Sequence, residues 1–129
     1  MYIALAFITL AISACGKKEK FDRDRWNDGD GLSFPYRDAM LDDLMQNQKL
    51  KGLTYKQAVR MLHEPQWNSY TDRSFQYEIR CKMDRLDTVW AKHLILYLNA
   101  DSVVTDFKVV EKNNEEKLAK KFKEQNKNK

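Results

Sequence analysis

The sequence predicts an α+β domain, with two N-terminal helices packed on a three-stranded antiparallel β-meander. Three observations predict it. Apolar residues recur at helical spacing in two segments between residues 36 and 63. Beyond Pro65 the period drops to two, which is the mark of half-buried strands. The strand-like runs are separated by short polar turns, and an order of two helices then three strands places the helices over one face of a meander.

The first helix is expected to start near Ser33, with Pro35 tolerated in its first turn. Tyr36, Met40, Leu41, Leu44 and Met45 fall on one half of it, and Asp38, Asp42 and Asp43 on the other. Asp38 lies near the N-terminus, where the helix dipole favours negative charge. Leu50, Lys51 and Gly52 make a turn, and Gly52 allows it to be tight. Thr54 then caps a second helix, with Gln57 three residues on to complete a capping box. Leu53 and Ala58 take the staple positions. Tyr55, Ala58, Val59 and Leu62 line the apolar face, while Lys56, Gln57, Arg60 and His63 face solvent. Pro65 stops the helix.

Phe75, Tyr77, Ile79 and Cys81 alternate with Ser74, Gln76, Glu78 and Arg80, which predicts the first strand. Lys82 to Asp87 reads as a polar connection, and Val89 to Leu98 as a second strand, apolar on both faces. Asn99-Ala100-Asp101-Ser102 is a turn in which Asn and Asp can take positive φ without glycine. Val103 to Val110 is the third strand, with Val103, Thr105, Phe107 and Val109 on one side. The domain is therefore bounded at residues 33–111.

Two flanks remain. Ile3 to Ala14 is an uncharged apolar run of twelve residues. A helix needs about 20 apolar residues to cross a bilayer, whereas twelve suits the h-region of a signal peptide. The run ends Ile12-Ser13-Ala14-Cys15, which resembles the lipobox of bacterial lipoproteins: an aliphatic residue, two small ones, then cysteine. That resemblance implies a signal peptide over residues 1–14, cleavage before Cys15, and a diacylglyceryl group on the Cys15 sulfur. The usual basic n-region is missing, since Met1 and Tyr2 carry no charge. Gly16 is not the aspartate that retains enterobacterial lipoproteins at the inner membrane, so the resemblance implies outer-membrane delivery in a Gram-negative organism. The alternative is an ordinary secretory signal with a chance cysteine. Residues 15–32 are charged and rich in Asn and Gly, a composition that reads as a flexible tether; Phe21 and Trp26 are its candidates for docking onto the domain.

Residues 112–129 hold seven Lys against three Glu, which is the whole of the chain's net charge of +4. They read as a basic tail, disordered or helical, that is either a solvated end or a contact for anionic headgroups or an acidic partner. The remaining charges balance, so the globular part has no basic field of the kind nucleic-acid binding needs. With Cys15 acylated, Cys81 has no partner in the chain and reads as a small buried apolar residue.

Catalysis needs a nucleophile, a base and stabilising donors in one place, and no such set is apparent. His63 and His93 lie thirty residues apart and make no zinc motif. Asp22-Arg23-Asp24 and Asp28-Gly29-Asp30-Gly31 look like calcium loops, but neither frame supplies both the glycine and the final glutamate of an EF-hand. No catalytic residue, metal ligand or cofactor is expected beyond the covalent lipid on Cys15.

Gly52-Leu53-Thr54 followed by Val59, Leu62 and Pro65 resembles the Gly-Met-Thr…Val…Leu-Leu-Gly-x-Pro segment of the SmpA/OmlA (BamE-like) family. Arg37, Met40, Asp43 and Leu44 fit relatives that read Arg-x-x-Met-x-x-Asp-Leu, and Leu94 to Val104 is similar to the family's hairpin. The likeness covers roughly residues 34–110. Leu53 stands for the usual Met, and His63 stands where the family has glycine, at a cost of about 1 kcal/mol to the helix end. The resemblance implies a β-lactamase-inhibitor-like fold in an envelope lipoprotein, without enzymatic activity, that binds other envelope proteins and supports outer-membrane protein assembly or envelope integrity. The wider superfamily implies an alternative: an inhibitor or ligand-sensing lipoprotein, with the Lys82–Asp87 loop as its inserting element.

Changing Cys15→Ser is expected to release the protein from the membrane fraction and alter its migration on a gel. Unchanged fractionation and migration would sink the lipobox assignment.

Overall fold

The computed structural model describes residues 17–31 and 33–127. Within them the chain is α+β, with a four-stranded antiparallel sheet in the order β1-β2-β3-β4. In chain order the elements are α1 (Arg23–Trp26), α2 (Arg37–Asn47), α3 (Tyr55–Leu62), β1 (Trp67–Ser69), β2 (Ser74–Asp84), β3 (Asp87–Leu98), β4 (Val104–Asn113) and α4 (Glu115–Lys127). The expected two helices and three strands are thus an undercount. The extra strand, β1, is a three-residue edge paired Trp67↔Gln76 to Ser69↔Ser74, too short to show a period in sequence.

α2 begins at Arg37 rather than near Ser33. A residue before proline is pushed out of the helical region, so Phe34 and Pro35 form an entry turn, closed by Arg37 N–H on the Phe34 carbonyl at 3.4 Å. Gly52 takes φ +92° in the turn that follows α2. Its N–H donates to the Val104 carbonyl at 2.8 Å, and Val104 N–H donates back to Leu53. Thr54 caps α3: its hydroxyl accepts from Gln57 N–H at 3.2 Å and the Gln57 amide accepts from Thr54 N–H at 2.9 Å. α3 ends at Leu62, two residues before the Glu64–Pro65 bond, and His63 caps it at φ 66°. That left-handed conformation is one that glycine adopts without strain and histidine does not.

Lys82–Asp87 is mostly strand rather than a polar loop. β2 and β3 run on to Asp84 and Asp87, leaving Arg85 and Leu86 as a two-residue tip with Arg85 at φ 58°. Two of the three register slips in the sheet, those at Ile79 and Thr105, move side chains to faces that simple alternation does not give. Tyr77 pairs with Leu94 but Arg80 with Lys92, so Ile79 sits in a bulge. Alternation past the bulge is reset, and Cys81, opposite Ala91, is half-buried rather than part of the core. Tyr97 pairs with Asp106 but Leu98 with Val104, which leaves Thr105 as the extra residue. Val104 is therefore buried and Thr105 exposed, while Phe107 and Val109 pack on the core edge.

The core lies between the sheet and α1–α3. It joins Met40, Leu41 and Leu44 of α2, Ala58 and Leu62 of α3, and Phe75, Tyr77, Leu94 and Leu96 of the sheet. Trp26, one of the two docking candidates in the charged N-terminal segment, belongs to it at 0 % exposure. Asp22 caps α1 by accepting from Asp24 and Arg25 N–H, both at 3.0 Å. Glu19 N–H donates to the Ala39 carbonyl at 2.9 Å, and Phe21 N–H to the Asp43 carboxylate at 2.7 Å. The large indole supplies the burial that the segment's polar composition hides. At the other end, residues 112–113 complete β4 and residues 115–127 form α4.

Trp26→Ala is expected to destabilise the protein by about 3–5 kcal/mol, the usual cost of truncating a fully buried large aromatic. Urea unfolding measures it; a change near zero would return residues 17–31 to the role of a loose leash.

Candidate functional site

Two features of the described residues combine polar groups with enclosure. One is a buried cation. Arg37 opens the first turn of α2 and is 0 % exposed. Its Nε donates to the Trp26 carbonyl at 2.9 Å. Its Nη1 donates to Gln66 Oε1 at 2.7 Å and to the Glu78 carbonyl at 2.8 Å. The acceptors are thus two main-chain carbonyls and an amide oxygen. The guanidinium lies 3.5 Å from the Phe34 ring centroid and 4.9 Å from that of Trp26. Nη2 has no partner among the described residues. Burial pulls the Arg37 pKa down to about 10, so it remains a cation at neutral pH. Its spacing, three, four and seven residues ahead of Met40, Leu41 and Leu44, puts it on the apolar face of α2. That spacing was the sequence signal for its burial, masked by its charge.

The other is a groove of about 760 Å³ where the N-terminal segment, the start of α2 and the middle of the β2–β3 hairpin meet. Lys17, Phe34, Ile79 and Cys81 contribute to its walls. An ion-pair network runs along it: Lys92 Nζ lies 2.8 Å from Asp38, Arg80 reaches the same carboxylate at 3.7 Å, and Lys18 pairs with Asp42 at 2.8 Å. Lys92 also stands 4.0 Å from Glu111. The bulge at Ile79 brings Arg80 opposite Lys92, so two cations share Asp38. Burial, and after it the charge of Glu78, pushes the Cys81 thiol up, which disfavours the reactive thiolate. The arrangement can pair charges across the groove.

The residues singled out in sequence are dispersed. Cys15 lies outside the described residues. Gly52 and Thr54 sit together at the start of β4, where Thr54 bridges Val103. Pro65 lies between α3 and β1. His63, expected in solvent, is half-buried: its ring Nε2 is 3.0 Å from the Arg23 carbonyl, and its own carbonyl accepts from the Tyr77 hydroxyl at 2.7 Å. His93 is on the sheet face away from the helices, stacked on Trp67 with centroids 4.7 Å apart and 3.3 Å from Gln76 Oε1. Among the described residues, no three His, Cys, Asp or Glu side chains gather as a metal site. Nor is any helix there long and apolar enough to cross a membrane.

Burial is the main cause that holds His93 below the ordinary imidazole value of 6.5. Below pH 6.5 the unfolded chain takes up a proton that the folded chain resists. The contribution of His93 to stability is therefore flat above that pH and falls as pH drops toward the lower folded value. An NMR titration should place the His93 midpoint under 6.5, and His93→Phe should flatten stability over that window relative to the parent. A slope of opposite sign, or a slope unchanged by the substitution, would contradict the assignment.

Compared with known proteins, the chain matches no family model, no curated protein and no solved structure.

Proposed function

We propose that this chain is a lipid-anchored envelope protein, acylated at Cys15, that acts without chemistry of its own by binding other envelope proteins in the manner of the SmpA/OmlA (BamE-like) lipoproteins. The observation that carries the reading is the twelve-residue apolar run closed by Ile12-Ser13-Ala14-Cys15. Two or three acyl chains on one residue give stable anchoring, where one alone is marginal. Anchoring confines the domain beside a bilayer and raises its effective concentration for neighbours there.

Two surfaces support a binding role. Gly52 and Leu53 cover only the start of the β4 edge. From Thr105 onward β4 is the outer strand of the sheet, and an open strand edge accepts a partner strand through main-chain hydrogen bonds. The sheet face away from α1–α3 carries the Trp67–His93 stack, with Trp67 46 % exposed. Aromatic residues half out of water are favoured anchors at protein interfaces. Support of outer-membrane protein assembly or envelope integrity is the process this reading assigns. The inhibitor reading draws on one observation, the almost fully exposed Leu86 at the tip of the β2–β3 hairpin.

Mass spectrometry of the N-terminus from native membranes should find Cys15 as the first residue with a diacylglyceryl mass on its sulfur. Gentle crosslinking of the same membranes should recover envelope proteins above background. A free Cys15, or one in a disulfide with Cys81, would defeat the anchored reading, and an empty crosslink would defeat the binding role.

A further inference from the structure

We propose that the β2–β3 hairpin tip and α4 form a second, non-covalent membrane contact that seats the domain on an anionic lipid surface. The proposal rests on the lipid-anchored reading above and adds an orientation to it.

Three observations meet at this end of the molecule. The first is apolar exposure. Six large apolar side chains are exposed among the described residues, and three of them cluster here: Leu86 at 95 %, Met83 at 53 % and Phe122 at 37 %. Phe122 shares a shallow hollow with Asp84 and Arg85, which puts α4 beside the tip. A bare leucine on a two-residue turn gains nothing from the fold that presents it.

The second is charge. Lys82 and Arg85 flank Met83 and Leu86. On α4, Lys117, Lys120, Lys123 and Lys127 recur at helical spacing on the side away from Leu118 and Phe122. Lys121 is instead tied to Asp87 at 3.6 Å, which fixes α4 to the base of the tip. Asn114 adds two bonds to β3, from its N–H to the Val89 carbonyl at 2.8 Å and from its amide to the Thr88 carbonyl at 3.1 Å. The net positive charge of the whole chain lies in residues 112–129, so this is the end that an anionic surface attracts. Apolar side chains beside lysines suit a bilayer interface, where both are satisfied at once: the tails of Leu86 and Met83 below the headgroups, the ammonium groups among the phosphates.

The third is the path of the chain. Asp38 of α2 meets the hairpin at Arg80 and Lys92. The tip lies six residues past Arg80, about 20 Å at the rise of a strand, and so overhangs the helical layer. Lys17 and Lys18 line the groove at the Arg80 level. The hairpin tip therefore stands clear of the helical layer, while Tyr70 and Trp67 lie at the other end of β2.

Depth-dependent quenching tests the orientation. Cysteine is introduced by Leu86→Cys, or at the far end by Tyr70→Cys, each in a Cys81→Ser background, and labelled with a maleimide dye. The full chain is reconstituted through its own anchor into phosphatidylcholine vesicles with or without phosphatidylglycerol, with bromine on the acyl chains. The number of dyes per chain reports on the underlying reading separately: one means Cys15 is blocked, two mean it is free and the anchor itself is wrong. With one dye, quenching at position 86 should exceed that at position 70 by about fivefold when phosphatidylglycerol is present, the factor that a single basic residue near an anionic leaflet supplies. Lys120→Glu with Lys123→Glu should remove most of that excess. Equal quenching at both sites, or an excess that persists without phosphatidylglycerol, overturns the proposal. A tip that stays aqueous in both vesicles overturns it too, and leaves Leu86 to a protein partner.

Discussion

A guanidinium taken out of water has to find its hydrogen-bond acceptors and its contact surface within the protein, and around Arg37 that need gathers four separate stretches of chain. The Trp26 carbonyl comes from α1, Gln66 from the link between α3 and β1, the Glu78 carbonyl from β2, and the Phe34 ring from the entry to α2. Gln66 Oε1 also accepts from Glu78 N–H at 2.9 Å, so one amide oxygen joins the cation to the strand. Removing one partner of such a set leaves others buried and unsatisfied, which costs more than the lost bond. The N-terminal segment, the helices and the sheet are thereby held in one register, and the groove beside Asp38 follows from it.

Much of this fold is legible in the sequence because its signals are local. Thr54 and Gln57 form the capping box that their spacing implies, and Phe75, Tyr77, Leu94 and Leu96 face the core as alternation requires. The signals fail where a distant partner decides. Trp26 stands in a stretch whose composition argues against folding, yet its indole fills the space beside Arg37 and Tyr77. Arg37 has the spacing of a core residue and the charge of a surface one, and stacking against rings resolves the conflict. The bulges at Ile79 and Thr105 reset the alternation of their strands, so Cys81 and Val104 exchange the roles that simple parity assigns.

The candidate surfaces divide in the same way. The groove is assembled from residues more than fifty positions apart, such as Asp38 and Lys92, and no local pattern announces it. The basic surplus near the C-terminus is plain in the composition, whereas its placement beside Leu86 and Met83 depends on Lys121 meeting Asp87 and on Asn114 meeting Thr88 and Val89. His63 shows the converse. The sequence marks it as an awkward residue at a helix end, and the backbone there is left-handed, with the Tyr77 hydroxyl and the Arg23 carbonyl holding it in place.

The bonds that Glu19 and Phe21 make to α2, together with the burial of Trp26, leave almost no slack ahead of the core. A tug on the chain before Lys17 is passed directly to the Ala39 carbonyl and the Asp43 carboxylate rather than being absorbed by a spring of loose residues. Motion of the segment at Lys17 is therefore coupled to α2 and through it to the core. Anything that engages the chain ahead of Lys17 would thus orient the domain as one body, its internal contacts unchanged.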